Sequence, residues 1–170
     1  RYRRPVPIWG DANLADLALP VTSATAAIID IKARKALKKG RSIDPCGYDA
    51  GKKIKGKKRH VLVDTQGLLM QAVVHAADIQ DRDGGVLVMA SLFGLYPFLL
   101  KLYADGGYQG AQFKGALQRV MRQVNLEIVK RSDAAKTFIV LPKRWIVERT
   151  IGWLNRCRRL AKDWECLNRN

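Results

Sequence analysis

Apolar positions along the chain fall into short runs and helical stripes that predict a mixed order of strands and helices. Residues 25–31 form an apolar run of strand length. Residues 59–63 and 68–75 are β-prone, and Asp64-Thr65-Gln66-Gly67 between them has the chemistry of a hairpin turn. From residue 81 to 96 the period changes. Val86, Met89, Ala90 and Phe93 recur at helical spacing, and acidic residues open the segment, where the helix dipole favours them. Residues 98–104 read as a strand that Gly106-Gly107 ends by allowing backbone angles closed to other residues. Residues 111–123 suggest a second helix and residues 126–129 a fifth strand. The last helix should begin at Pro142, which a first turn tolerates. Its apolar stripe, Ile146, Thr150, Trp153, Cys157, Leu160 and Trp164, predicts about six turns with one buried face. Trp145, Trp153 and Trp164 are expected to pack.

An antiparallel meander followed by alternating helices and strands predicts a ribonuclease-H-like α/β fold: a mixed five-stranded sheet with a long C-terminal helix. Residues 1–24, with Pro5, Pro7 and Pro20, read as a linker or the remnant of a preceding region, and residues 25–170 as the domain. In that topology the first and fourth strands lie side by side. Asp30 closes the first and Asp105 follows the fourth, so their adjacency is a consequence of the fold, and Glu148 on the packed helix can complete a group of three. Carboxylates on rigid supports that stay open to solvent suit magnesium, which takes oxygen ligands and keeps waters. Two such ions about 3.5–4 Å apart activate an attacking oxygen and stabilise a leaving one, as phosphodiester cleavage requires.

Charge names the substrate class. The 170 residues carry 31 Lys and Arg against 15 Asp and Glu, a net charge of +16. An excess of that size favours a polyanionic partner. The charge is concentrated, with 12 Lys or Arg against Asp44 and Asp49 between residues 32 and 59. This segment reads as a basic, glycine-rich loop whose Lys52, Lys53, Lys55, Lys57, Lys58 and Arg59 are candidates for contact with DNA phosphates. No apolar stretch approaches the roughly 20 residues of a membrane span, so a membrane partner is not expected. Cys46, Cys157 and Cys166 form no Cys-x-x-Cys pair, which suggests neither a disulfide framework nor a zinc site and fits a reducing cytosol. His60 and His75 lie in strand patterns without a metal-spaced partner and read as structural.

Five segments together carry a specific resemblance. They are Gly47-Tyr48-Asp49-Ala50-Gly51-Lys52-Lys53; Lys57-Lys58-Arg59-His60-Val61-Leu62-Val63-Asp64-Thr65; His75-Ala76-Ala77-Asp78-Ile79-Gln80-Asp81-Arg82-Asp83-Gly84; Ala104-Asp105-Gly106-Gly107-Tyr108; and Leu141-Pro142-Lys143-Arg144-Trp145-Ile146-Val147-Glu148-Arg149-Thr150. Over most of residues 25–170 the chain resembles the DDE transposases of bacterial insertion sequences, specifically the insertion-sequence-five group of the insertion-sequence-four superfamily. The superfamily's pattern around its last acid is Tyr, two residues, Arg, three residues, Glu, six residues, Lys. Arg144 and Glu148 match it, while Leu141 stands for the Tyr and Asn155 for the Lys. The first Asp of the group is usually followed by Ser, whereas Asp30 is followed by Ile31 and Lys32.

The resemblance implies Asp30, Asp105 and Glu148 as a catalytic, metal-binding triad, 75 and 43 residues apart along the chain. It implies two Mg²⁺ ions, with Mn²⁺ as a substitute, and double-stranded DNA, both element ends and target, as the partner of a possible homodimer. The expected activity is DNA strand cleavage followed by strand transfer, in a cytoplasmic, nucleoid-associated bacterial protein with no small-molecule substrate. Arg144, Arg149, Arg156 and Arg159 are the helix residues expected to contact DNA, the first two near the scissile bond. Relatives extend beyond both ends of this stretch, so the chain is expected to be truncated at both. The rival expectations are a catalytically silent DNA-binding remnant and a simple metal-dependent nuclease.

Overall fold

The computed structural model describes residues 24–35, 46–130, 141–157 and 160. The candidate linker, apart from its last residue, therefore lies outside the described residues, as do Arg159, Cys166 and Trp164. One mixed sheet of six strands organises the rest. Its centre is β1 (Ala26–Lys35), which pairs antiparallel with β3 (Ile54–Asp64) and parallel with β5 (Lys101–Ala104). Outward from these, β4 (Leu69–Ala76) and the short β2 (Gly47–Asp49) pair antiparallel with β3, and β6 (Asn125–Ile128) pairs parallel with β5.

Side chains alternate across a strand, so each central strand feeds two cores. Ala27 and Ile29 of β1 and Leu62 of β3 point to one face. There they bury α1 (Asp81–Ser91) through Val88 and Met89, and α2 (Ala111–Val120) through Phe113 and Leu117. Ile28, Val61 and Val63 point to the other face and bury α3 (Pro142–Leu154) through Val147 and Ile151. The result is the expected ribonuclease-H-like α/β arrangement, with β1 and β5 adjacent.

Against the sequence expectation, β5 begins at Lys101 rather than at 98, α2 ends at Val120 rather than at 123, and α3, expected to run about six turns, spans Pro142–Leu154; four further differences have a physical reason. β1 and β3 run on well beyond their apolar cores, because the ladder between them continues to Lys35 opposite Gly56. Asp30 is consequently a mid-strand residue, and part of the supposed basic loop is strand. β2 is a sixth strand of three residues, too short to show a period. α1 stops at Ser91, and its buried side is carried by Gly84 and Gly85 as well as by Val88, Met89 and the following Leu92, leaving Phe93 75% exposed. Counting large apolar residues misses a face made of glycine.

The fourth difference concerns α3. Its buried core residues are Val147 and Ile151, with Ile146 and Leu154 partly buried beside them and Thr150 buried, so Ile146 and Thr150 of the predicted stripe are covered while Trp153 is not. Trp145 and Trp153 are 48% and 50% exposed, so neither is a core residue. Cys157 is exposed as well, beyond the end of the helix.

Candidate active site

Strand register brings two of the three predicted acids together. β1 and β5 run parallel with Ala26 opposite Lys101, Ala27 opposite Leu102 and Ile28 opposite Tyr103. Continued by two residues, the same register sets Asp105 abreast of Asp30 on strands about 4.8 Å apart. Ile28 and Tyr103 both border the core under α3, so the alternation directs Asp30 to that same face. Asp105 leaves β5 as the cap of a 3-10 turn, Gly106–Tyr108, and its Oδ1 accepts from the Gly107 N–H at 2.9 Å. The bond fixes the carboxylate at the strand end, and Gly107 allows the approach: a Cβ there would lie 3.1 Å from Asp105 Oδ1.

Glu148 comes from α3, which covers this face, and it is exposed. Arg144, one turn earlier, donates to Glu148 Oε1 at 3.5 Å. Asp30 feels all of these groups. Burial pushes its carboxyl up to about 6, and the negative charges of Asp105 and Glu148 add to the rise, while the Ile31 N–H and the Arg144 cation oppose it. The Ile31 N–H reaches Asp30 Oδ1 at 2.8 Å. The charges of Asp105, Glu148 and Arg144 thus all reach Asp30. Among the described residues, no three acidic, imidazole or thiol side chains are drawn in tightly enough to enclose one ion. Like charges repel, and Arg144 beside Glu148 offsets part of that repulsion at Asp30.

The basic candidates divide by environment. Lys52 and Lys53 are exposed in the turn before β3, and Lys55 is exposed on β3 itself. Lys57 and Lys58 are buried at 6% and 4% exposure. Lys58 Nζ is held by Asp81 Oδ1 at 2.8 Å, Asp49 Oδ2 at 3.1 Å and the Ile79 carbonyl at 2.8 Å, which uses all three of its protons. Arg59 donates to the Leu160 carbonyl. Arg149 donates to the Gln66 carbonyl at 2.6 Å and lies 4.9 Å over the Trp153 ring. Arg156 is exposed. Asn155, standing where the superfamily pattern has Lys, accepts a hydrogen bond from Arg34 of β1.

Sequence reasoning did not single out Asp49 and Asp81 as the partners of Lys58, or Tyr108 as a core residue bonded at 2.8 Å to His60 Nδ1. The only signal was that all of them fall in the segments that carry the resemblance, which marks the stretch but not the pairing.

A family model described as "Transposase DDE domain" matches residues 24–170. The chain belongs to that family. A curated relative, a putative transposase for insertion sequence element IS402 of Burkholderia cepacia, is 29% identical over 121 residues, 65% of this chain and 54% of the relative. The chain therefore spans about half the length of that relative. For a DDE domain, one acid on the central strand, one at the end of the neighbouring parallel strand and one on the helix above them form a donor set of hard oxygens, which fits magnesium or manganese.

Proposed function

We propose that this DDE domain cleaves DNA at the ends of an insertion sequence and joins the freed ends to target DNA, with Asp30, Asp105 and Glu148 as the catalytic acids. The observation that carries the reading is the parallel register that sets Asp105 abreast of Asp30 beneath the helix bearing Glu148. In the first step water adds to phosphorus and the bond to the 3′ oxygen breaks, leaving a 3′-hydroxyl and a 5′-phosphate. In the second, that hydroxyl attacks a target phosphodiester and displaces the target's own 3′ oxygen, so no external energy source is needed.

Two divalent ions, Mg²⁺ or Mn²⁺, supply activation of the attacking oxygen and stabilisation of the leaving one when bound. Asp30 and Asp105 would hold them from the sheet and Glu148 from the helix. The burial that raises the Asp30 carboxyl fits this role, because a cation removes the same penalty. Arg144, already beside Asp30 and Glu148, is placed to hold a phosphate near the reacting bond. The substrate is double-stranded DNA, and Lys52, Lys53, Lys55 and Arg156 are the exposed side chains on offer for its backbone.

Incubating the full-length chain with labelled element ends in Mg²⁺, in Mn²⁺ and in EDTA tests the reading. Metal-dependent nicks that leave a 3′-hydroxyl and then join target DNA are expected. Nicks without joining would indicate a nuclease, and salt-sensitive binding without nicks a silent DNA-binding remnant.

A further inference from the structure

Helix α3 is held on three sides, and each side has a different job. At about 100° per residue, Val147, Ile151 and Leu154 face the sheet, Arg144, Glu148 and Asn155 fall on one flank, Ile146, Thr150 and Trp153 on the other, and Arg149, about 100° on from Glu148, lies away from the sheet beyond that second flank. The second flank grips the turn between β3 and β4. Thr150 Oγ1 donates to the Gly67 carbonyl at 2.7 Å, and Arg149 donates to the Gln66 carbonyl at 2.6 Å while stacking on Trp153.

The turn is shaped for this grip. Gly67 has φ +91, and a Cβ on it would meet Arg149 at 2.9 Å, Thr150 at 3.0 Å and Ile146 at 3.5 Å. The turn is rigid in its own right, because Asp64 Oδ1 accepts from the N–H groups of Gln66 at 2.8 Å and Leu68 at 2.9 Å. A stiff loop is therefore tied through two carbonyls to Arg149 and Thr150, the two residues that follow Glu148 on α3.

We propose that Arg149 and Thr150 are positioning residues: by clasping the β3–β4 turn they fix the rotation of α3 about its own axis and so hold Glu148 over Asp30 and Asp105. This rests on the reading of Glu148 as a catalytic acid. Val147 and Ile151 set how closely the helix packs, and Lys143–Glu127 and Arg34–Asn155 tie its two ends, while the bonds from Arg149 and Thr150 hold the middle turn, the one that carries Glu148. Side-chain tips lie about 5–6 Å from a helix axis, so a roll of about 20° displaces the Glu148 carboxylate by roughly 2 Å. Displacements of about 1 Å are enough to cost on the order of 100-fold in rate. Arg149 is thereby assigned to the scaffold and not to a DNA phosphate.

The test uses four variants of the full-length chain. Thr150→Val keeps the shape and removes the donor; Thr150→Ser restores a hydroxyl; Arg149→Met keeps the stem and removes the guanidinium; Ile151→Val loosens α3 on the sheet without touching the clasp. Thermal midpoint, Mn²⁺ affinity by electron paramagnetic resonance, DNA affinity and single-turnover cleavage are measured on each. Thr150→Val and Arg149→Met should bind Mn²⁺ about 10-fold more weakly and cleave saturating DNA about 10–100-fold more slowly at unchanged DNA affinity, with Thr150→Ser near wild type. Ile151→Val should lower the midpoint and leave Mn²⁺ affinity and cleavage near wild type.

Two results would overturn the clasp: wild-type Mn²⁺ affinity in Thr150→Val and Arg149→Met, or losses in Ile151→Val as large as theirs at an equal drop in midpoint. A weakening confined to DNA affinity in Arg149→Met would also overturn it and return Arg149 to the DNA-contacting set. Glu148→Gln, run alongside, separates the two readings, since full cleavage and Mn²⁺ binding there would remove Glu148 from the triad whatever the clasp does.

Discussion

Lys58 donates to Asp81 across 2.8 Å from a position 4% exposed, and the bond divides the basic segment in two. Asp81 also accepts from the exposed Lys52 at 3.3 Å, so a structural ion pair and a surface lysine meet on one carboxylate. Hydrogen bonds from the two lysines hold the Asp81 carboxyl below its usual range, although burial alone would raise it.

The consequence for DNA binding is a split between lysines. Replacing Lys52, Lys53 and Lys55 with Ala should make the dependence of log affinity on log salt shallower by roughly 2–3 units, at about 0.9 for each phosphate left without its cation, with little change in thermal midpoint. Lys58→Met should lower stability by about 2–3 kcal/mol, since it leaves Asp49 and Asp81 with no buried cation between them. Its salt slope, measured on the fraction that folds, should match wild type. A slope unchanged in the triple variant would move DNA contact to the Arg144 flank of α3.

Asp105 has one duty in the fold and, in the proposed function, a second that is separable from it. Its Oδ1 caps the Gly106–Tyr108 turn by accepting from Gly107 N–H, and the carboxylate charge is the part a metal needs. Asp105→Asn keeps an acceptor oxygen and should abolish cleavage with the thermal midpoint nearly unchanged. Asp105→Ala should abolish cleavage and also lower stability by about 1 kcal/mol, the usual worth of such a cap. Cleavage surviving in Asp105→Asn would leave Asp105 a turn residue only.

Much of this arrangement was legible in the chain, because strand alternation and topology are written in local patterns. The hairpin turn at residues 64–67 follows from its turn residues, the helical origin of Glu148 from the 3.6 period, and the adjacency of β1 and β5 from the ribonuclease-H-like order of strands and helices. Pairing partners were not legible. Nothing at Lys58 distinguishes it from Lys55, three residues earlier on the same strand, until β2 and α1 bring Asp49 and Asp81 to it. The same holds for Arg149, which looks like any other basic residue near an acid until the Gln66 carbonyl appears beneath it. Position along a strand is local information, whereas ion pairing is set by elements far apart in sequence.

Gly84 makes a sharper stability prediction. A Cβ there would lie 2.2 Å from His60 Nε2 and 2.3 Å from His75 Nε2, two tilted rings whose centroids are 4.8 Å apart. Gly84→Ala should destabilise the fold by about 3 kcal/mol or more, the upper range of overpacking. Gly115 of α2 meets nothing within 4 Å, so Gly115→Ala should instead stabilise by about 0.5–1 kcal/mol through helix propensity. Chemical denaturation of the two variants against wild type checks both signs, and equal effects would mean that α1 does not pack on the histidines.

His60 supplies a pH dependence with a definite sign. It is fully buried, and that burial, with the neighbouring His75 adding, pushes its pKa down from 6.5 to about 3. Asp81 opposes this, and Lys58 and Lys52 reinforce it, so the imidazole is neutral in the fold at any ordinary pH. The unfolded chain takes up a proton near 6.5 that the folded chain refuses. Stability is therefore complete above about 6.5 and falls as the pH drops from there toward about 3, by about 1.4 kcal/mol per unit at the steepest. Asp30 acts in the opposite sense between about 6 and 3.8, because its buried carboxyl gains from protonation. Asp49 and Asp81, both held low, add their own loss only below about 3.8. His60→Gln keeps an acceptor for the Tyr108 hydroxyl and removes the titration. Between about pH 6.5 and 4.5 its unfolding free energy should decline less than that of wild type, by roughly 2 kcal/mol over the interval. Parallel curves for the two proteins would show that His60 is protonated in the fold, and its bond to Tyr108 would then have to run from Nδ1–H to the hydroxyl oxygen.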